Sequence, residues 1–297
     1  MQETAPITDA MSVDLEDYFQ VEAFADRIPR SEWGSFALRV RENTERVLAL
    51  FKRHNCRATF FVLGWVAERD PSLIRQVADA GHEIGCHSYF HYRVSTLSPD
   101  AFRQDLRQAK EAIETAAGVK VLGFRAPTFS IVKQSLWALD VLAEEGFEYD
   151  SSIFPVHHDR YGIPDAPRFG HWRQLRSGRV ICEIPMATAK VGQHNFPAAG
   201  GGYLRLLPMW YTRWAIHRIH TRDRQPVIMY FHPWEVDPGQ PRLAADWKTR
   251  IRHYTGLAKT ESRLDEILRR HRFEPIINLV RRLPQPRPLQ AQVAAST

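Results

Sequence analysis

His87 and His91 stand four residues apart in Gly85-Cys86-His87-Ser88-Tyr89-Phe90-His91, and three acids, Asp14, Glu16 and Asp17, cluster where the first apolar run of the chain ends. Two imidazoles at i and i+4 share one face of a helix and can converge on a point. With one carboxylate they make a two-nitrogen, one-oxygen donor set for a divalent cation. Three protein donors leave positions open for water and substrate, which a catalytic ion needs and a structural ion does not. The histidine spacing alone is common in cores and on surfaces, so its meaning depends on the elements that present it.

Those elements alternate. Short apolar runs over Met11–Asp14, Ala58–Leu63, Glu83–Cys86, Val121–Phe124, Val180–Ile184 and Val227–Phe231 read as buried strands. Between them, Asp70-Pro71 starts a helix that stops at Gly81, Ser98-Pro99 starts one that stops at Gly118, and Ser135–Glu145 stops at Gly146. Alternation of this kind predicts an α/β fold with a mainly parallel sheet or barrel. Such folds do their chemistry at the carboxyl ends of strands. Asp14, Asp17, His87, Arg125 and His232 all fall there. The stretch Phe154–Phe196 reads as a long loop holding one strand, and Gly200-Gly201-Gly202 as a flexible turn. His157-His158-Asp159 reads as loop, Asp246–His271 as helical and Arg-rich, and 284–297 as a disordered tail.

The chain has 297 residues, a net charge of +6 and a pI near 9.3. The basic excess sits late, and no nucleic-acid motif accompanies it. A solvated basic face is the first reading, with attraction to an anionic membrane surface or polymer second. Cys56, Cys86 and Cys182 form no disulfide framework, which fits a reducing compartment. Residues Met1–Ala10 lack a signal-peptide pattern, and no run is long enough to span a membrane, so a cytoplasmic protein is expected.

Five segments, in order, resemble the polysaccharide deacetylases, the family 4 carbohydrate esterases. Ser12-Val13-Asp14-Leu15-Glu16-Asp17-Tyr18-Phe19 is similar to their first motif, and His87-Ser88-Tyr89-Phe90-His91 to their metal motif. Phe124-Arg125-Ala126-Pro127-Thr128-Phe129-Ser130, Tyr149-Asp150-Ser151-Ser152 and Tyr230-Phe231-His232-Pro233-Trp234 resemble the remaining three. The variant is most similar to exosortase-associated exopolysaccharide-locus deacetylases.

The resemblance implies a distorted (β/α) barrel of fewer than eight βα units over 1–236, a basic helical extension over 237–283, and one divalent ion, with zinc expected. It implies N-deacetylation of an N-acetylhexosamine polymer or lipid-linked oligosaccharide. Asp14 would be the general base and His232 the general acid, with Arg125 pairing Asp14 and Asp150 orienting a histidine from behind. His87, His91 and Asp17 would hold the ion, with Glu16 as the alternative carboxylate. Tyr89, Pro127 and Trp234 would shape the substrate site, a backbone N–H near Tyr89 taking the oxyanion. Hydrolysis of a small non-sugar amide, or catalytically silent glycan binding, are the competing expectations. The oligomeric state stays open.

Overall fold

The computed structural model describes residues 7–198 and 200–285. Eleven strands are present among them: β1 Asp9–Leu15, β2 Thr59–Val62, β3 Glu83–Cys86, β4 Gly123–Phe124, β5 Tyr149–Asp150, β6 His171–Gln174, β7 Val180–Glu183, β8 Thr188–Val191, β9 His194–Pro197, β10 Ile228–Phe231 and β11 Phe273–Glu274. Nine form one sheet in the order β10-β1-β2-β3-β4-β5-β7-β6, with β11 pairing β1. All pairings are parallel except that of β6 with β7. No pairing joins β6 to β10, so the barrel is open, an α/β fold with fewer than eight βα units.

Sequence explains the sheet's interior. All seven residues of β1 and all four of β2 are buried, as expected for parallel strands covered on both faces. Helices supply the cover. In Pro99–Ala117, Ser98 accepts a hydrogen bond from the Ala101 N–H and Gly118 ends the helix at φ 69°. Its buried face is Phe102, Leu106, Ala109 and Ile113, one residue per turn. The helix Val40–Arg53 was not marked by a local cap: Asp17, far away in sequence, accepts from the N–H groups of Arg39 and Val40.

Two readings of the sequence are corrected here. The stretch Phe154–Phe196 holds β6, β7, β8 and most of β9 rather than one strand; β8 and β9 form a hairpin through Gly192 at φ 58°. A Cβ on Gly200 would lie 1.4 Å from the Tyr230 carbonyl oxygen, so close backbone approach, not flexibility, requires glycine there. The extension beyond residue 236 is helical over Trp247–Tyr254, Leu257–Arg270 and Ile276–Arg282, and it also adds β11 beside β1. The tail expected over 284–297 lies outside the described residues from 286 onward. No helix among the described residues is long and apolar enough to cross a membrane.

Candidate active site

A cleft of about 220 Å³ opens at the carboxyl ends of the strands, and Asp14, Glu16, His87, His91, His232 and Trp234 are on its wall. Three strands of the sheet deliver them. Asp14 lies in β1, with Glu16 just past it; His87 follows β3 directly, and His232 follows β10.

The His87–His91 segment is not helical. Ser88 and His91 adopt left-handed backbone, φ 66° and 57°. The His91 N–H donates to Ser88 Oγ at 3.0 Å, and the Ser88 and Tyr89 carbonyls accept from the Gly64 and Trp65 N–H groups. A tight turn, rather than one helical face, brings the two rings to 5.3 Å between centroids. Thr128 and Phe129, also on the cleft wall, are left-handed too, at φ 57° and 51°. Non-glycine residues held in this region mark a site whose shape the surrounding fold enforces.

Glu16, not Asp17, joins the histidines. Donor atoms of Glu16, His87 and His91 all lie within 4.8 Å of one another. Asp17 turns the other way, and its carboxylate accepts from the Tyr18, Arg39 and Val40 N–H groups at 2.9, 2.7 and 3.0 Å. Burial nonetheless pushes Asp17 up to about 6.

The buried trio fits a cation on its own geometry. His87 Nδ1 donates to the Arg125 carbonyl at 2.8 Å, which leaves Nε2 as the free lone pair. Glu16 Oε2 lies 3.0 Å from His91 Nε2 without hydrogen-bond geometry and has no hydrogen-bond partner, and His91 Nδ1 has none either. Buried polar atoms are rarely left so. Burial would raise Glu16, but His91, His232 and His87 outweigh it and hold the carboxyl at about 2, ionised. Burial holds His87 near 4, so its ring is neutral. An ionised carboxylate and neutral imidazole nitrogen are what a zinc-class ion takes.

Arg125 is fully buried. Nη1 donates to Asp14 Oδ1 at 2.7 Å and to Ser12 Oγ at 2.8 Å; Nε and Nη2 donate to the Ser151 carbonyl and hydroxyl. Asp14 is thereby fixed with Oδ2 3.9 Å from His232 Nε2. His232 Nδ1 donates to Glu235 Oε1 at 2.7 Å. Burial disfavours its charged form, but the Glu235 bond and the charges of Glu16, Glu235 and Asp14 prevail and raise His232 to about 9.

Several expected residues stand elsewhere. Asp150 orients no histidine: Arg125 does so for His87, and Glu235 for His232. Instead Asp150 accepts from the Ser152 N–H and hydroxyl, and Ser152 Oγ accepts from the Ala126 N–H, so it braces the Arg125 segment. Tyr89 is buried with its hydroxyl on Glu68, and its N–H is taken by Asp105, so neither faces the cleft. Pro127 is buried behind Ala126, Thr128 and Phe129, which do line the cleft. Trp234 stacks on His232 and on His253 and is 5% exposed, so its ring faces are occupied by protein; its Nε1 donates to Glu16 Oε1 at 3.3 Å. His158 stacks on Tyr161, a cleft residue.

Sequence reasoning missed Glu235, Arg205 and His253. Glu235 sits three residues past His232 at the start of a short helical turn, a spacing at which a side chain reaches back to the cap residue. Buried Arg205 donates to Glu235 Oε2 at 2.5 Å and to the carbonyls of Arg252, His253 and Thr255. It ties the C-terminal segment to the site, and its charge, against the cost of burial, holds Glu235 at about 2. No local pattern marks Arg205 or His253.

Comparison with known proteins divides the chain in two. Residues 29–149 match the family model described as polysaccharide deacetylase, and residues 151–281 match one described as a domain of unknown function, DUF3473. The boundary falls within β5, which is hydrogen-bonded to β4 of the first match and to β7 of the second, so the two matches are parts of one sheet. A peptidoglycan-N-acetylglucosamine deacetylase of Bacillus cereus is 34% identical over 33% of this chain and 36% of its own length. A peptidoglycan deacetylase of Helicobacter pylori is 32% identical over 38% of this chain and 37% of its own. The matches thus span about a third of these relatives' length. A probable polysaccharide deacetylase from Pseudomonas aeruginosa PAO1 shares the fold at TM-score 0.60 and 16% identity, over 92% of this chain and 89% of its own. The match over 29–149 and these relatives give the chain a polysaccharide deacetylase domain, and the solved structure shares its fold.

Proposed function

We propose that the cleft is the active site of a metal-dependent N-deacetylase that releases acetate from N-acetylhexosamine residues of a glycan. The observation that carries the reading is the convergence of Glu16, His87 and His91 beside Asp14 and His232, two groups able to exchange protons across one cleft. Glu16, His87 and His91 hold the divalent ion, with zinc the best match to the donor set. The ion, when bound, polarises the acetamide carbonyl and lowers the pKa of water.

The rest falls to the chain's own residues. Asp14, fixed by Arg125 and open to the cleft through Oδ2, takes the proton of the attacking water. His232 Nε2 faces the same space and gives a proton to the departing amine, while Glu235 on Nδ1 keeps the ring in register. Trp234 fixes Glu16, and Phe129, Tyr161 and Tyr230 give the wall apolar surface against which a pyranose ring can pack. The relatives named for peptidoglycan support a glycan of N-acetylglucosamine type. Within that class we propose an exopolysaccharide or a lipid-linked intermediate. The helix Trp247–Tyr254, which presents Trp247 and Ile251 at 67% and 50% exposure next to the cleft residues Arg252 and His253, suits contact with an anionic lipid surface.

The test is acetate release from N-acetylglucosamine oligomers by metal-stripped protein, by the same protein with zinc restored, and by His87→Ala. Release that requires both the ion and His87 supports the proposal. Release that survives stripping or the substitution refutes it.

A further inference from the structure

At the other end of β1, three side chains from distant parts of the chain meet. Asp9 begins β1, His220 lies in the π-helical turn Ile219–Asp223 that precedes β10, and His271 lies just before β11. Their donor atoms all lie within 4.8 Å of one another. His220 Nε2 is 2.8 Å from Asp9 Oδ1, and His271 Nδ1 is 3.8 Å from Asp9 Oδ2. Asp9 is fully buried, and Oδ2, the oxygen facing His271, has no hydrogen-bond partner. Its other oxygen already accepts from the Val227 N–H and is hydrogen-bonded to His220 Nε2. A buried carboxylate oxygen without a protein donor is costly. A cation held by this oxygen and the two imidazoles removes that cost. Tetrahedral ligation at ~2.1 Å places donors roughly 3.4 Å apart, close to the 3.8 Å between His271 Nδ1 and Asp9 Oδ2.

We propose that Asp9, His220 and His271 form a second divalent-cation site, distinct from the cleft, that pins the C-terminal segment to the start of β1. The seven residues of β1 at ~3.3 Å each separate the two sites by roughly 20 Å. Both histidines are partly exposed, so an ion can enter from solvent, with water completing its shell. The role is structural. The Asp9 N–H donates to the Arg272 carbonyl and the Ala10 N–H to the Val227 carbonyl, so one ion at Asp9 locks the start of β1 to the segments entering β10 and β11. A π-helical turn, rare in itself and common where a side chain must be re-aimed, presents His220.

The test counts ions and needs no activity. Full-length His87→Ala, stripped and then dialysed against low-micromolar zinc, is analysed for bound metal and for the thermal shift that zinc produces. One retained ion and an upward shift of several degrees are expected. Both should vanish in His87→Ala/His271→Ala and in His87→Ala/His220→Ala, while His271→Ala alone keeps one ion in the cleft. Absence of metal from His87→Ala overturns the proposal without any change at the new site. So does an ion that persists, with its thermal shift, when His271 or His220 is removed.

Discussion

The carbonyl of Arg125 accepts from His87 Nδ1 while the guanidinium of the same residue donates to Asp14, so one buried arginine sets both the tautomer of a candidate metal ligand and the orientation of the candidate base. The two jobs are separable, because the first belongs to the backbone and the second to the side chain.

Arg125→Lys should therefore keep the ion and lose rate. A single ammonium cannot replace donors to Asp14, Ser12 and Ser151 together. Metal content equal to wild type with kcat lowered by roughly 10²-fold is expected. Arg125→Met should also destabilise the fold by about 3–5 kcal/mol, since Asp14 is left charged and unpaired. Metal analysis, steady-state kinetics and urea unfolding measure the three quantities.

Glu16→Ala and Asp17→Ala should fail in opposite ways. The first removes a candidate metal oxygen, and the cleft ion should be lost while the fold persists. The second strips acceptors from the N–H groups of Tyr18, Arg39 and Val40, costing about 2 kcal/mol in urea unfolding while the ion stays bound.

Much of this site was legible in the sequence, for one reason: a parallel sheet puts the residue after each strand on a common rim. Asp14 is the last but one residue of β1, His87, Arg125 and His232 each directly follow a strand, and the four are brought together at that rim. Which of Glu16 and Asp17 faces inward was not legible. The strand ends at Leu15, a turn from the Glu16 N–H to the Asp14 carbonyl follows, and the helix that claims Asp17 begins at Val40. Tyr89 and Trp234 illustrate a second limit, since a large aromatic beside a motif serves core and ligand equally well until its neighbours are known. Arg205 and His253 illustrate a third, since both act through backbone carbonyls or ring faces that only the tertiary fold supplies.

A chain ended at residue 236 should not fold. It would lose β11 from the lower edge of β1 and would leave buried Arg205 without the carbonyls of Arg252, His253 and Thr255. Far-UV circular dichroism and solubility should show aggregation or loss of cooperative melting, whereas an autonomous domain over 1–236 would melt as the full chain does.

Acid should weaken the fold through His82. Burial, reinforced by the nearby Arg57 charge, holds this histidine at about 4, and its Nδ1 accepts from the Ala58 N–H. The unfolded chain binds that proton near pH 6.5, so between pH ~6.5 and ~4 it carries more protons than the folded one and stability falls as pH falls. The contribution is at most about 3 kcal/mol. His82→Asn retains an acceptor and removes the titration, so its melting temperature should drop less steeply across that interval. An unchanged slope would place the acid sensitivity elsewhere.

The most direct single measurement is acetate release from N-acetylglucosamine oligomers by Asp14→Asn, with bound metal assayed in the same sample. The isosteric amide still faces Arg125 and His232 but cannot take a proton. Wild-type metal content with a rate lowered by ~10³-fold or more is the predicted result. A fully metallated Asp14→Asn that deacetylates at the wild-type rate would contradict the assignment of this cleft.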